Sequence, residues 1–117
     1  MDTGYKNLIV WQKAKELAVK IYQLTDNFPK AETYGITSQI RRAAVSIPSN
    51  IAEGYRRNHD KERTQFLAIA FGSGAELETQ LEISKEIFAN SNLDFSETEK
   101  ILEEVMKMLN KLISNGF

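Results

Sequence analysis

The sequence predicts an all-α protein, an antiparallel up-down-up-down four-helix bundle with helix 2 kinked at Pro48. Apolar residues recur at three- and four-residue steps in four separate segments, which places them on one face of each helix. Three short connections join these segments, and short connections favour antiparallel neighbours. No segment shows the alternation of apolar and polar residues that is typical of a strand. The length of 117 residues is enough for a single domain, 1–117.

Helix 1 is expected at about residues 5–26. Its apolar stripe includes Trp11, Leu17 and Ile21. Pro29 ends the helix, because the residue before a proline is pushed out of helical geometry. We expect Phe28 to close this end of the core.

Helix 2 is expected at about residues 34–57 and contains Pro48. The proline removes one amide donor and clashes with the carbonyl four residues earlier, so the helix should kink or break. Ile47 and Ile51 keep helical phase across the proline. This spacing favours one kinked helix over the alternative of two shorter helices.

Helix 3 is expected at about residues 60–89, with a core stripe that includes Leu67, Leu77 and Leu81. Further apolar positions are predicted to widen this stripe, among them Ile69, Ile83 and Ile87. The run 72–74, Gly-Ser-Gly, lowers helix propensity, and we expect a close approach to the alanines at 43–44 to compensate. A glycine-rich phosphate cradle is a weak alternative, since no strand precedes the run and no Gly-Lys-Ser/Thr follows it.

Helix 4 is expected at about residues 96–114. Ser96 and Glu99 have the spacing of a capping box, in which each side chain bonds a backbone amide of the other residue. Gly116 fits a glycine at the helix C-terminus.

Composition limits the functional classes. The chain has no cysteine, which excludes disulfides, thiolate metal sites and cysteine nucleophiles. It shows no secretion signal and no apolar run long enough to span a bilayer, so we expect a cytoplasmic protein without a membrane partner. Residues 1–63 contain 11 Lys and Arg against seven acidic residues, whereas residues 64–117 contain four against nine. This asymmetry would suit a polyanionic partner, or the docking of one subunit's basic surface on another's acidic surface.

Catalysis is not expected. His59 is the only histidine, and Arg56 occupies the position three residues before it. The Glu-x-x-His pairs of di-iron bundles are therefore lacking. We predict no enzyme activity, no cofactor, no metal and no small-molecule substrate.

A basic set is the stronger functional lead, because the planar guanidinium of arginine can bond two phosphate oxygens at once and an aromatic ring can stack on a base. The candidate nucleic-acid-binding residues are Arg41, Arg42, Tyr55, Arg56, Arg57, His59, Lys61 and Arg63. The alternative is that these cations pair with nearby carboxylates. Glu53 in particular is expected to hold Arg42 or Arg56 in a buried or interfacial pair.

Three blocks in order carry a family resemblance: 8–35, LIVWQKAKELAVKIYQLTDNFPKAETYG; 39–54, QIRRAAVSIPSNIAEG; and 66–81, FLAIAFGSGAELETQL. Together they resemble the bacterial four-helix-bundle proteins of the 23S rRNA intervening-sequence family. That family in turn resembles the accessory variability protein of diversity-generating retroelements.

The resemblance implies a bundle that assembles as a ring-like homopentamer, with RNA or a nucleoprotein as the suspected partner. In the retroelement relative, basic surface residues are implicated in nucleic-acid contacts. The matching positions here would be Arg41 and Arg42, with Arg56 and Arg57 after them. The function this implies is a non-enzymatic nucleic-acid-binding or accessory protein, and the alternative is a structural assembly module without a nucleic-acid ligand.

Overall fold

A computed structural model describes residues 4–117, and within them every regular element is a helix. The elements in chain order are a 3₁₀ turn at Gly4–Asn7, α1 at Ile9–Thr25, a 3₁₀ turn at Lys30–Glu32, α2 at Ile36–Tyr55, α3 at Asp60–Ile87 and α4 at Ser96–Asn115. The predicted all-α class is confirmed. Helix α1 begins later than predicted, because Gly4 has a φ of 66° and the chain first makes the 3₁₀ turn.

The four long helices form a bundle of 47 × 26 × 24 Å. Helices α1 and α3 each pack against both α2 and α4, and in the described chain neither diagonal pair approaches within 8 Å between Cα atoms. Lys13 on α1 pairs with Glu104 on α4 at 3.0 Å, and Lys20 pairs with Glu97 at 3.1 Å. This order is the one that antiparallel neighbours would give, although the antiparallel topology and the kink at Pro48 stay predictions.

Helix α2 is a single helix with Pro48 inside it. The Asn50 side-chain amide donates to the Ser46 carbonyl at 2.8 Å, two residues before the proline. The hydroxyl of Ser46 also bonds the hydroxyl of Ser73 on α3 at 2.8 Å. Side chains therefore supply hydrogen bonds to the segment where the proline removes a backbone donor.

The core is apolar along its length and is closed by aromatic rings at one end. The buried stripes contain mainly Ala, Val, Leu and Ile from all four long helices. Phe28 lies 4.7 Å from Phe88 and 6.2 Å from Phe95 between ring centroids. Phe28 is buried, so its predicted role at the end of the core is confirmed.

The start of α4 differs from the predicted capping box. Asp94 accepts hydrogen bonds from the Ser96 backbone N–H at 3.0 Å and from the Ser96 hydroxyl at 2.7 Å. These two bonds, the hydroxyl first, lower the pKa of Asp94. Glu99 does not reach back, because its carboxylate accepts from Lys85 on α3 at 2.9 Å. The capping box was therefore wrong, and Asp94 supplies the local acceptor instead.

Close helix packing also lies elsewhere than predicted. The nearest atoms to a Cβ added at Gly74 belong to Met106 of α4, and the space around Gly72 is open. A Cβ at Gly54 would lie 3.0 Å from the Phe66 Cβ and 3.2 Å from the Arg63 carbonyl oxygen. The close approach that a glycine permits between α2 and α3 therefore lies at Gly54 and not at the predicted alanines 43–44, whereas Gly74 leaves room for the Met106 side chain of α4.

The outer face of α3 corrects a second prediction. Ile69, Ile83 and Ile87 are 51%, 45% and 58% exposed, so they do not widen the core. Two residues along a helix correspond to about 200° of rotation, which places Ile69 opposite the buried Leu67. The three isoleucines thus lie outside the core, on an exposed side of α3 where Glu76 stands between Ile69 and Ile83.

Candidate nucleic-acid interface at one end of the bundle

The turn between α2 and α3 contains most of the predicted basic residues. Helix α2 ends at Tyr55, and α3 begins at Asp60 after His59, whose side chain makes no capping hydrogen bond. The basic residues of the turn are therefore presented at the end of the bundle opposite the Phe28 aromatic cluster.

Arg41 lies towards the other end and binds the last turn of α1. Its Nε donates to the Thr25 hydroxyl at 2.8 Å, and its Nη2 donates to the Tyr22 carbonyl at 3.3 Å and to the Asp26 carboxylate at 3.2 Å. The guanidinium also lies 4.4 Å from the centroid of the Tyr22 ring. These contacts satisfy carbonyl and hydroxyl acceptors at a helix C-terminus, which is a structural role.

Arg57 and Arg63 stabilise the turn itself. The Arg57 Nη2 lies 2.8 Å from the Glu53 carboxylate, and its guanidinium lies 4.8 Å from the Phe66 ring centroid. The Arg63 Nε donates to the Arg57 carbonyl at 2.7 Å, just beyond the end of α2. Glu53 is exposed and pairs with Arg57 rather than with Arg42 or Arg56, so the predicted buried pair was wrong.

Tyr55 packs between the two ends of the described chain. Its ring meets that of Phe117 edge-on, with 5.6 Å between centroids, and a Cβ added at Gly4 would lie 3.7 Å from its Cε1. Tyr55 is half-buried as a result. These contacts bring the N-terminal 3₁₀ turn and the end of α4 to the α2–α3 turn.

Two lysines that the sequence analysis did not include join the predicted residues there. Lys6 follows Tyr5, whose ring lies 5.2 Å from the Arg56 guanidinium carbon, and Lys111 lines a surface groove together with Asn7. We call the exposed set Lys6, Arg56, His59, Lys61 and Lys111 the basic end. The predicted up-down-up-down topology could have identified these two lysines, because it brings the start of helix 1, the turn between helices 2 and 3 and the end of helix 4 together.

The sequence comparison decides the family. A model of the 23S rRNA-intervening sequence protein family matches residues 6–111. The chain belongs to this family. No curated protein matches it. The family prediction is confirmed, and the relation to the retroelement accessory protein stays a prediction.

In this 23S rRNA-intervening sequence protein, the predicted site residues divide into three groups. The structure brings Arg56, His59 and Lys61 together as exposed residues, and it uses Arg41, Arg57, Arg63 and Tyr55 in internal contacts. Arg42 is exposed on α2, 14 positions before Arg56, which corresponds to about 21 Å along a helix. Arg42 therefore does not belong to the basic end.

The carboxylates near the basic end have other partners or positions within residues 4–117. Glu53 pairs with Arg57, and Asp60 lies 3.8 Å from Arg63. Asp60 and Glu62 occupy the first turn of α3, where negative charge is favourable because of the helix dipole. Lys6, Arg56, Lys61 and Lys111 form no ion pair with any residue in 4–117. Their charges are thus available to a ligand.

Two further features concern metal binding and membrane insertion. Within residues 4–117, no three or more His, Asp and Glu side chains lie close enough together to hold a metal ion. None of the helices described has both the length and the apolar character needed to cross a bilayer.

Proposed function

We propose that this protein is a non-enzymatic, oligomeric four-helix bundle of the bacterial cytoplasm that binds RNA, alone or within a nucleoprotein, through its basic end. One observation carries the proposal. Cations from the start of the described chain, the α2–α3 turn and the end of α4 meet at one end of the bundle, and none of them pairs with a carboxylate of residues 4–117. The match to the 23S rRNA-intervening sequence family supports a link to RNA.

The physical basis is the release of counterions from the phosphate backbone. Each phosphate that a lysine or arginine neutralises contributes about 0.7–0.9 to the slope of log K against log salt concentration. The three lysines Lys6, Lys61 and Lys111 can each bind a different phosphate, since an ammonium group is a point charge with three donors. Binding is therefore expected to weaken steeply as salt is added.

The test compares two double variants of equal charge change at opposite ends of the bundle. Lys6→Ala with Lys111→Ala removes two cations from the basic end, whereas Lys30→Ala with Lys100→Ala removes two exposed lysines near the aromatic cluster. Binding of a labelled structured RNA is measured by fluorescence anisotropy over a range of salt concentrations. The first variant should bind more weakly at low salt, with a salt slope smaller by about 1.4–1.8, and the second should resemble the wild type.

Two results would contradict the proposal. One is the absence of RNA binding by the wild type at low salt. The other is an equal loss in both double variants, which would mean that net charge, and not this end of the bundle, determines binding.

A second candidate function, a structural homo-oligomeric module without a nucleic-acid ligand, is favoured by the outer face of α3. Ile69, Ile83 and Ile87 are exposed there. Burial of apolar surface is the main favourable contribution to stable association. The face lies along the side of the bundle, so it would support side-by-side contact between copies.

A complementary surface lies between α1 and α2. It is a groove of about 500 Å³ that is lined by Val19, Tyr22 and Val45 among others. Docking of one copy's α3 face in another copy's α1–α2 groove would use two different surfaces, and such a head-to-tail contact closes into a ring when the rotation allows. The homopentamer that the family resemblance implies would be one such ring.

Light scattering tests this assembly. A mass of 13.3 kDa at micromolar concentration would be that of a monomer and would refute it. Ile83→Glu should reduce the mass of the assembly, because it places a carboxylate in the apolar contact. Ala75→Glu is the matched control, since it adds the same charge at an exposed position about a quarter turn away on α3.

A further inference from the structure

We propose that Arg56, held over the ring of Tyr5, is a stacking platform for an unpaired nucleobase, so that the basic end prefers single-stranded RNA over duplex RNA. This inference rests on the proposed RNA-binding function and specifies its substrate class. The observation behind it is that Arg56 is exposed and has an aromatic partner, but pairs with no carboxylate among residues 4–117.

A short series of rings holds the guanidinium in place. Trp11 and Tyr5 meet edge-on, with 5.2 Å between centroids and 63° between planes. The Arg56 guanidinium carbon lies 5.2 Å from the Tyr5 centroid, and the Lys15 ammonium lies 5.4 Å from that of Trp11. Such cation–π contacts are favourable within about 6 Å of a ring. Arg56 is thus positioned by an aromatic pair that is itself anchored on α1.

Arg56 differs in this respect from the other arginines of the turn. Arg57 is half-buried between Glu53 and Phe66, and Arg63 is bonded to the Arg57 carbonyl. Arg56 makes no ion pair in the described chain and is exposed, so its side chain is accessible to a ligand. It is the arginine of this turn that can accept a planar ligand without breaking an internal bond.

The chemistry of this arrangement favours a base in addition to a phosphate. Arginine planes and aromatic rings are the usual stacking partners of splayed-out RNA bases, and a guanidinium that is already held loses less freedom when it stacks. A base in an A-form duplex is already stacked on its neighbours and cannot offer its face. Lys6 and Lys61, which also belong to the basic end, would bind the neighbouring phosphates of the strand.

The experiment measures the affinity of the full chain for an unstructured single-stranded RNA and for the duplex it forms with its complement. Arg56→Lys keeps the charge but removes the plane, and Tyr5→Leu removes the ring below it. Each should weaken single-strand binding by about ten-fold, within the range measured for one stacked base, and leave duplex binding nearly unchanged. Tyr5→Phe retains the ring and should bind like the wild type. Circular dichroism confirms that each variant is folded.

Trp11 provides an independent readout, because it is the only tryptophan and its ring contacts Tyr5. Its fluorescence should change when the single strand binds, and this change should be lost in Arg56→Lys at saturating RNA. Heparin, a polyanion without bases, should change it less.

The two proposals fail differently. If Arg56→Lys binds single strands as the wild type does, or weakens single strands and duplex equally, stacking is refuted. If Lys6→Ala with Lys111→Ala still weakens both RNAs in that case, phosphate binding at the basic end stands. If the wild type binds neither RNA at low salt, both proposals are refuted.

Discussion

A methyl group added at Gly54 should destabilise the bundle, although alanine is the better helix former. Its Cβ would lie 3.0 Å from the Phe66 Cβ and 3.2 Å from the Arg63 carbonyl oxygen. The Arg63 atom belongs to the backbone, so no side-chain rotation can relieve that contact and α3 itself must shift. Overpacking of this kind costs about 1–3 kcal/mol, whereas alanine gains up to about 1 kcal/mol in helix propensity. We expect Gly54→Ala to lower the free energy of unfolding by about 1–2 kcal/mol.

Gly72→Ala is the matched control, because it is the same substitution in a helix where the space around the added Cβ is open. It should raise the free energy of unfolding by about 0.5–1 kcal/mol, through helix propensity and a less flexible unfolded chain. The two variants should therefore differ by roughly 2 kcal/mol in urea unfolding followed by circular dichroism. Protein concentration is held constant, since association would shift the midpoint. Gly54→Ala at or above wild-type stability would refute the close approach of α2 and α3.

Three further variants test other contacts. Arg41→Ala should lower the free energy of unfolding by about 1–3 kcal/mol, because it removes the charged donor to the buried Thr25 hydroxyl at the end of α1; its exposed neighbour variant Arg42→Ala should be nearly neutral, and equal losses in the two would contradict the structural role of Arg41. Gly74→Leu should cost at least about 1–3 kcal/mol by overpacking against Met106, and a neutral result in thermal unfolding would place Gly74 outside the core. The hydrogen bonds from Ser96 lower the pKa of Asp94 in the folded state below its usual 3.8, so its ionised form stabilises the fold above that pH. Near neutral pH, the wild type should have a higher Tm than Asp94→Asn. This difference in Tm should be lost as the pH falls below 3.8 and through the folded pKa of Asp94, and a difference that persists in acid would contradict this.

The four long helices could be predicted from the sequence because helical periodicity is a local property. Asp60 and Ser96 begin α3 and α4 at the predicted positions, and α2 continues through Pro48 as one helix. The deepest core positions, such as Leu67 and Leu81, were also predicted, since each is defined by neighbours three and four residues away. For these features the tertiary structure added little beyond exact ends.

The candidate site was predicted only in part. The sequence located the basic turn, and Arg56, His59 and Lys61 are exposed there as a binding site requires. It did not separate them from Arg57 and Arg63, which lie in the same turn but are engaged in internal contacts. A side chain's partner depends on atoms a few ångströms away, and in a bundle many of those atoms come from another helix.

Tertiary structure alone decided which distant segments meet. Arg41 reaches the end of α1, Gly74 faces Met106 of α4, and Lys6 and Lys111 join the basic end from opposite ends of the chain. It also decided that Ile69 and Ile83 of α3 lie outside the core of the single chain. Periodicity shows that a helix has an apolar face. Which neighbour covers that face depends on how the helices pack, and no local pattern along the chain encodes this.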